Sequence, residues 1–227
     1  MVDYDLVAVI PARLGSSRVK EKVFSSVSGE ESLLERKIRQ LQKVLPSDRV
    51  IVNTESEKIS EIAYRCGVMV QERDSYFSLG HEATFSEVIQ HVISNVEAEY
   101  IAWTPFVVPF FNEDDFKASF YEFSNKVVQG EFDSLVSVVQ MKDYVWSEVG
   151  PLNYEANENH TVSQDLPQWY RVTNGNYMAS KKVMLKYKYF LGDKVYLDIK
   201  PQHCSIDIDT YDDLKIAQAY YKSTNDV

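Results

Sequence analysis

Cysteine is almost missing from this chain. Its 227 residues include two, Cys66 and Cys204, with no Cys-x-x-Cys spacing. That excludes a disulfide scaffold, gives no support to a structural zinc site and fits reduced thiols in a cytosol. Positive charge is scarce too. Lys and Arg number 24 against 34 Asp and Glu, a formal net charge of -10, so the composition lacks the basic face that a phosphate backbone or an anionic lipid surface demands. Long hydrophobic runs are absent. Leu6 to Ile10 is too short for a membrane span or for the apolar core of a secretory leader, and Asp3 and Asp5 stand where a leader carries positive charge. A cytoplasmic protein with no nucleic-acid partner and no membrane partner is expected. There are no internal repeats and no low-complexity tracts. What the chain does have is apolar mass, 44% of its residues, enough to bury a substantial core.

Short apolar runs alternate with helical spacing. Strands are expected at Leu6 to Ile10, Arg49 to Val52, Val68 to Val70, Tyr100 to Trp103 and Ser134 to Val139, with helices near Ser32 to Leu45, Glu57 to Arg65, Glu82 to Asn95 and Glu113 to Phe123. This alternation predicts an α/β fold with a mainly parallel sheet flanked by helices. In the first helix Leu33, Leu34, Ile38, Leu41 and Leu45 share one face, and Ser32 with Glu35 forms a capping box. From about Lys142 to Tyr170 the periodicity fails, and Gly150, Pro151 and Pro167 mark an irregular extension of a single domain spanning 1–227. Two more strands are expected near Lys194 to Ile199 and His203 to Ile208, then a helix from about Tyr211 to Tyr221.

Two segments carry the chemistry. The first strand runs into a loop, Ala12-Arg13-Leu14-Gly15-Ser16-Ser17-Arg18-Val19-Lys20-Glu21-Lys22, that concentrates four cations in an acidic protein. A strand that ends in a small-residue loop and feeds a helix presents backbone N–H groups at the carboxyl edge of a sheet, where they hold phosphate oxygens. Gly15 allows close approach, Ser16 and Ser17 add hydroxyls, and Arg13, Arg18, Lys20 and Lys22 add charge suited to a triphosphate. Neither G-x-x-x-x-G-K-[ST] nor G-x-G-x-x-G occurs here, so a P-loop NTPase or a dinucleotide-binding oxidoreductase is not implied. The second segment is Ser205-Ile206-Asp207-Ile208-Asp209-Thr210. Read as a strand, it points Ile206 and Ile208 to the core and sets Asp207 and Asp209 side by side on the other face. Adjacent carboxylates need a cation between them, and two carboxylates plus substrate phosphates are the usual holders of Mg2+. Thr210 and Asp213 form a capping box for the last helix.

Together these segments resemble the cytidylyltransferases that make CMP-activated acidic sugars, the CMP-sialic acid and CMP-Kdo synthetase families. Pro11, Ala12, Arg13, Gly15, Ser16, Arg18 and Lys22 stand in register with the family loop P-A-R-x-G-S-[KT]-[RG]-[IL]-P-x-K, and "SIDIDTYDDLKIAQAY" is similar to the family's acidic strand and helix. "VNTESEKISEIAYRCGVMVQERD" and "YRVTNGNYMAS" match further family segments. The resemblance implies a Rossmann-like, GT-A-like nucleotidyltransferase fold and transfer of CMP from CTP to an acidic keto-acid sugar, sialic-acid-like or Kdo-like, with release of pyrophosphate, for surface polysaccharide synthesis. It implies Arg13, Lys22, Asp207 and Asp209 as catalytic residues. Ala12, Arg13, Gly15, Ser16, Ser17, Arg18, Lys22, Arg73 and Thr84 would bind the nucleotide, and Arg171, Asn174 and Tyr177 the sugar, with Gly175 nearby. Asp207 and Asp209 would hold Mg2+ as the metal ligands. A homodimer joined through the extension is likewise implied, with Tyr144, Val145 and Trp146 as its aromatic cover.

The chain departs from the family pattern at Lys20, Val23, Glu55 and Asp74, and most of all in "WTPFVVPFF", where Pro105 replaces a glutamine and Val107 and Val108 replace Thr and Ser. Those changes imply an unusual sugar. The alternatives are a non-catalytic nucleotide-binding homologue and a sugar-phosphate nucleotidyltransferase of the same fold. His81 is expected at the pocket rim, His91, His160 and His203 in packing or surface roles, and Trp103 and Phe106 to Phe111 in core and pocket wall.

Overall fold

The computed structural model describes residues 3–15, 19–78 and 82–225. Ser16, Ser17, Arg18 and His81, all named above, lie outside them. Seven strands form one sheet: β1 (Leu6–Pro11), β2 (Val50–Thr54), β3 (Met69–Glu72), β4 (Tyr100–Trp103), β5 (Ser134–Met141), β8 (Trp169–Ser180) and β9 (Val195–Ile199). Their order across the sheet is β3-β2-β1-β4-β8-β5-β9, and β8 alone runs against its neighbours. The mainly parallel α/β sheet read from the sequence is the one observed. β1 and β2 are covered on both faces, which is why they are unbroken apolar runs rather than alternating ones.

Helices cover both faces. On one side α1 (Leu33–Gln42), α2 (Glu57–Arg65), α4 (Glu113–Phe123) and α6 (Tyr211–Asn225) bury Leu33, Leu34, Ile38, Leu41, Ile59, Phe116, Phe120, Phe123 and Ala217. On the other, α3 (Phe85–Ser94) and α5 (Lys181–Tyr187) bury Ile89, Val92, Ile93 and Met184. The Ser32/Glu35 box starts α1 as its sequence predicts, with Glu35 N donating to Ser32 Oγ and Ser32 N to Glu35 Oε2. Residues between β5 and β8 form the expected irregular extension, holding only the small hairpin β6 (Trp146–Ser147) and β7 (Gly150–Pro151) and one short helical turn.

Two elements differ from expectation. The alternation over 203–208 predicts a strand, but the backbone makes a helical turn at Gln202–Ser205 and then runs extended outside the sheet, docked through Ile208 N to the Val107 carbonyl at 3.0 Å. Pro201 caps that turn and ends the ladder with β9. Ile208 is buried as expected, and Ile206 only half-buried. The second difference is the twelve-residue β8, whose sequence gives no strand signal. Its pairing with β5 shifts register between Val136 and Val138, and Asn174 adopts φ +57. An Asn-Gly pair inside a strand marks such an irregularity rather than a turn.

Gly175 has a packing reason to be glycine. A Cβ there would lie 2.4 Å from Phe111 Cδ2, so Gly175→Ala is expected to overpack the core and cost about 1–3 kcal/mol; chemical denaturation reads the loss, and Phe111→Leu in the same chain should recover part of it. α1 also buries Lys37 completely, its Nζ donating to the Val108 carbonyl at 3.0 Å. Burial pushes this ammonium from 10.5 down to about 7. The unfolded chain therefore binds the extra proton over that interval, and stability should rise with pH from about 7 to 10.5. The difference in urea midpoint between wild type and Lys37→Met is expected to narrow as pH climbs through that window.

Candidate active site

In a doubly wound sheet the crevice opens where strand order reverses, outside the carboxyl ends of the strands. Here β1 leads outward through β2 to β3, and the chain then returns to place β4 on the other side of β1. At that point lies a cleft of about 400 Å³ lined by Arg13, Arg73, Phe77, Trp103, Tyr177 and Phe190, among others. Arg13 follows β1, Arg73 follows β3, and Trp103 ends β4.

The cationic wall is tied together from three loops. Arg73 Nε donates to Asn53 Oδ1 at 2.6 Å, and its Nη2 to the Asn53 carbonyl at 3.3 Å. Burial lowers the Arg73 guanidinium to about 10, with Glu55 opposing the shift and Arg13 adding to it, so it stays charged at neutral pH. Glu55 bridges the loops: Leu14 N donates to its Oε1 at 3.1 Å and Ser78 Oγ to its Oε2 at 2.9 Å. Arg13 Nη1 donates to the Ser78 carbonyl at 3.1 Å. Both guanidinium groups thus hydrogen-bond neutral oxygens, which leaves their charge for an anion.

Beside the cleft lies the acidic segment, from the other end of the chain. Lys22, 7% exposed, donates from Nζ to the Ile208 carbonyl at 2.6 Å and to Asp209 Oδ1 at 3.1 Å. Lys20 N donates to the Tyr211 hydroxyl at 3.3 Å. Asp213 fixes where the acidic segment stops, accepting from Asp209 N at 3.1 Å, Thr210 N at 2.7 Å and Thr210 Oγ1 at 2.8 Å. Asp207 accepts from Asn174 Nδ2 at 2.7 Å through Oδ2. Its Oδ1 is buried and, among the described residues, has no hydrogen-bond partner. Burial raises the Asp207 pKa; the Asn174 bond opposes the shift and the neighbouring Asp209 charge adds to it.

The expected site residues fall into three groups. Arg13, Arg73, Asn174 and Tyr177 line the cleft, while Lys22, Asp207 and Asp209 meet through the Lys22–Asp209 pair and the Asn174–Asp207 bond. Gly15 has room for a Cβ, which among the described residues would meet the Ser78 carbonyl at 3.9 Å. Ala12, Thr84 and Arg171 are not among the residues that line the cleft. Ala12 is buried and spends its N–H on the Asn53 carbonyl. Thr84 is the N-cap of α3, its hydroxyl shared with Glu87. Arg171 donates to Ser205 Oγ at 2.8 Å and lines a separate, smaller cavity with Gln202.

Sequence reasoning passed over Asn53, Ser78, Phe85 and Phe190. A lone asparagine at the end of the apolar run Val50–Val52 was the one available signal. Behind the acidic segment Asp115, His203 and Cys204 cluster closely enough to suggest metal ligands. The buried ammonium groups of Lys37 and Lys200 already serve that region, and Lys200 Nζ donates to the Asp115 carbonyl at 3.1 Å.

The fold is that of nucleotidyltransferases. It is similar to a CMP:2-keto-3-deoxy-manno-octonic acid synthetase solved with CTP, with a TM-score of 0.70 at 14% identity over 97% of this chain and 99% of that one. A second similar structure is 4-diphosphocytidyl-2C-methyl-D-erythritol synthase from Anaerococcus prevotii, with a TM-score of 0.69 at 15% identity over 96% and 99%. The profile described as Cytidylyltransferase matches residues 7–141, and the chain belongs to that family. Among its relatives, the pseudaminic acid cytidylyltransferase of Campylobacter jejuni is 24% identical over 95% of this chain and 96% of its own length. The 3-deoxy-manno-octulosonate cytidylyltransferase of Rickettsia felis is 27% identical over 73% of this chain and 61% of its own.

Asn53 is fully buried and holds Arg73. Asn53→Ala should leave a buried guanidinium short of an acceptor and cost about 2–3 kcal/mol, read as a lower urea midpoint.

Proposed function

We propose that the protein transfers CMP from CTP to an acidic keto-acid sugar and releases pyrophosphate. The observation that carries this reading is the contact of the basic loop with the acidic segment through Lys22 and Asp209, 3.1 Å apart, beside a cleft to which Asn174 ties Asp207. Two arginines on the cleft wall suit the triphosphate, and two carboxylates beside it suit a cation shared with it. The sugar's anomeric hydroxyl attacks the α-phosphorus, a new O–P bond forms, the α–β anhydride bond breaks, and pyrophosphate leaves. This chemistry rests on positioning and charge neutralisation rather than on a covalent nucleophile. Arg13 and Arg73 would hold phosphate oxygens, and Lys22 would oppose charge that grows on the leaving group.

Asp207 and Asp209 would hold Mg2+. The fit is supported by the chemistry of two hard oxygen donors and by Asp207 Oδ1, a buried acceptor with no partner among the described residues. Bound there, the cation would neutralise phosphate charge and make the attacking hydroxyl more acidic. The sugar would lie along the ring wall, where Phe190 stands 4.4 Å from Tyr177, 5.2 Å from Phe85 and 5.6 Å from Trp103 between centroids. Such a wall suits a deoxygenated or acylated edge, in keeping with Pro105, which also lines the cleft, whereas Val107 and Val108 pack in the core on the other side of the sheet. Among the described residues no helix is long and apolar enough to cross a membrane, and we place the reaction in the cytoplasm. The extension exposes Tyr144, Trp146, Val149, Leu152 and Val162, an apolar surface suited to a second copy of the chain.

Pyrophosphate release with CTP and Mg2+ should appear with one or more sugars of a keto-acid panel and stop on chelation. Asp207→Asn with Asp209→Asn should lower kcat by about 10³-fold or more while the fold persists by circular dichroism. Turnover with UTP and a sugar 1-phosphate instead, or CTP binding with no turnover on any sugar, would overturn the assignment.

A further inference from the structure

We propose that Asn174 is a positioning residue that aims Asp207 at the cation and is itself held by Tyr177, so that one hydrogen-bonded chain runs from the ring wall to the metal-binding acid. The inference rests on the reading that Asp207 and Asp209 bind a divalent cation, and it changes the role expected for Asn174 from sugar contact to orientation of a carboxylate.

The geometry specifies the chain end to end. Tyr177 donates its hydroxyl to Asn174 Oδ1 in a short hydrogen bond, and Asn174 Nδ2 donates to Asp207 Oδ2 at 2.7 Å. An amide has one accepting and one donating end, and only this orientation serves both neighbours, because the reverse would set the amide oxygen against the carboxylate. With Oδ2 engaged by a neutral donor, Oδ1 is the oxygen left for a cation, and it has no hydrogen-bond partner among the described residues. Neutrality matters. An ammonium at this place would cancel the carboxylate charge, as Lys22 does in part for Asp209, whereas an amide fixes direction and leaves the charge.

The backbone gives a second, independent argument. Asn174 sits at φ +57, a left-handed conformation that glycine adopts without penalty and that asparagine tolerates better than most residues with a Cβ, though still at a cost relative to glycine. What asparagine adds at that position is therefore its amide. It follows that Asn174→Gly should relieve backbone strain while removing the orienting bond, an opposition that a merely structural residue would not show.

Mn2+ alone, titrated against the full chain by water-proton relaxation without nucleotide or sugar, tests this with no turnover involved. Wild type is expected to bind at the acid pair, Asp207→Asn to lose that binding, and Asn174→Gly to bind about 10–100-fold more weakly with a thermal midpoint unchanged or raised. Tyr177→Phe, which removes only the hydroxyl, should weaken binding in the same direction by less. If Asp207→Asn loses Mn2+ while Asn174→Gly binds as wild type does, the positioning role is overturned and the acid site stands. If wild type and Asp207→Asn behave alike, the acid site falls and takes this proposal with it. Should Asn174→Gly melt early, Tyr177→Phe decides, since wild-type affinity in that variant overturns the chain.

Discussion

One buried ammonium joins the two ends of this molecule. Lys22 Nζ reaches the Ile208 carbonyl and the Asp209 carboxylate, 186 and 187 residues further along the chain. A buried cation is tolerated only where its donors are spent, and here the Asp209 side chain is 42% exposed, so solvent screens the pair and the carbonyl bond carries part of the compensation. Lys22 therefore does two things at once. It spends its buried ammonium on two oxygens, and it holds the acidic segment, which has left the sheet, against the loop that follows β1. The rest of the acidic segment is pinned by the Asp213 cap, the Ile208–Val107 backbone bond and the Asn174 amide. Each of these bonds costs little to form, because the sheet has already brought the carboxyl ends of its strands together.

The same constraint resolves the contrast between an acidic chain and a basic loop. Cations line the crevice after β1 and β3, and the carboxylates of the C-terminal segment lie beside it, Asp207 tied to it by Asn174. A polyanionic nucleotide with a divalent cation is the ligand class for which that polarity makes sense. Arg13 and Arg73 are bonded to neutral oxygens, and Asp207 has one oxygen lacking a partner among the described residues; under the proposed function they are the two halves of one electrostatic device.

Much of this was legible in the sequence, for reasons that can be named. α1 was readable because its capping box and 3.6-residue apolar spacing agree, and α2 and α4 begin and end where expected. β1 and β4 were readable as short apolar runs. β8 was not, since Asn174 and Gly175 break its alternation, and only partners on β4 and β5 make it a strand. The 203–208 segment misled in the opposite way: its alternation is real, yet Pro201 turns it out of the ladder. At the site, residue types pointed to Arg13, Lys22 and the twin acids, because charge of one sign on a short loop needs a reason. Thr84 spends its hydroxyl on a helix cap and Ala12 its N–H on a neighbouring strand, bonds that leave no trace in the pattern. Asn53, Glu55 and Ser78 act through bonds between segments distant in sequence, which no local pattern encodes.

The central claim is spatial: the arginine loop and the acid pair serve one nucleotide and one cation. Anomalous diffraction from crystals soaked with CTP and Mn2+ tests it most directly. The account predicts a metal peak coordinated by Asp207 and Asp209 with triphosphate density between it and Arg13. A metal peak away from both aspartates, or a triphosphate on another face of the sheet, would contradict it.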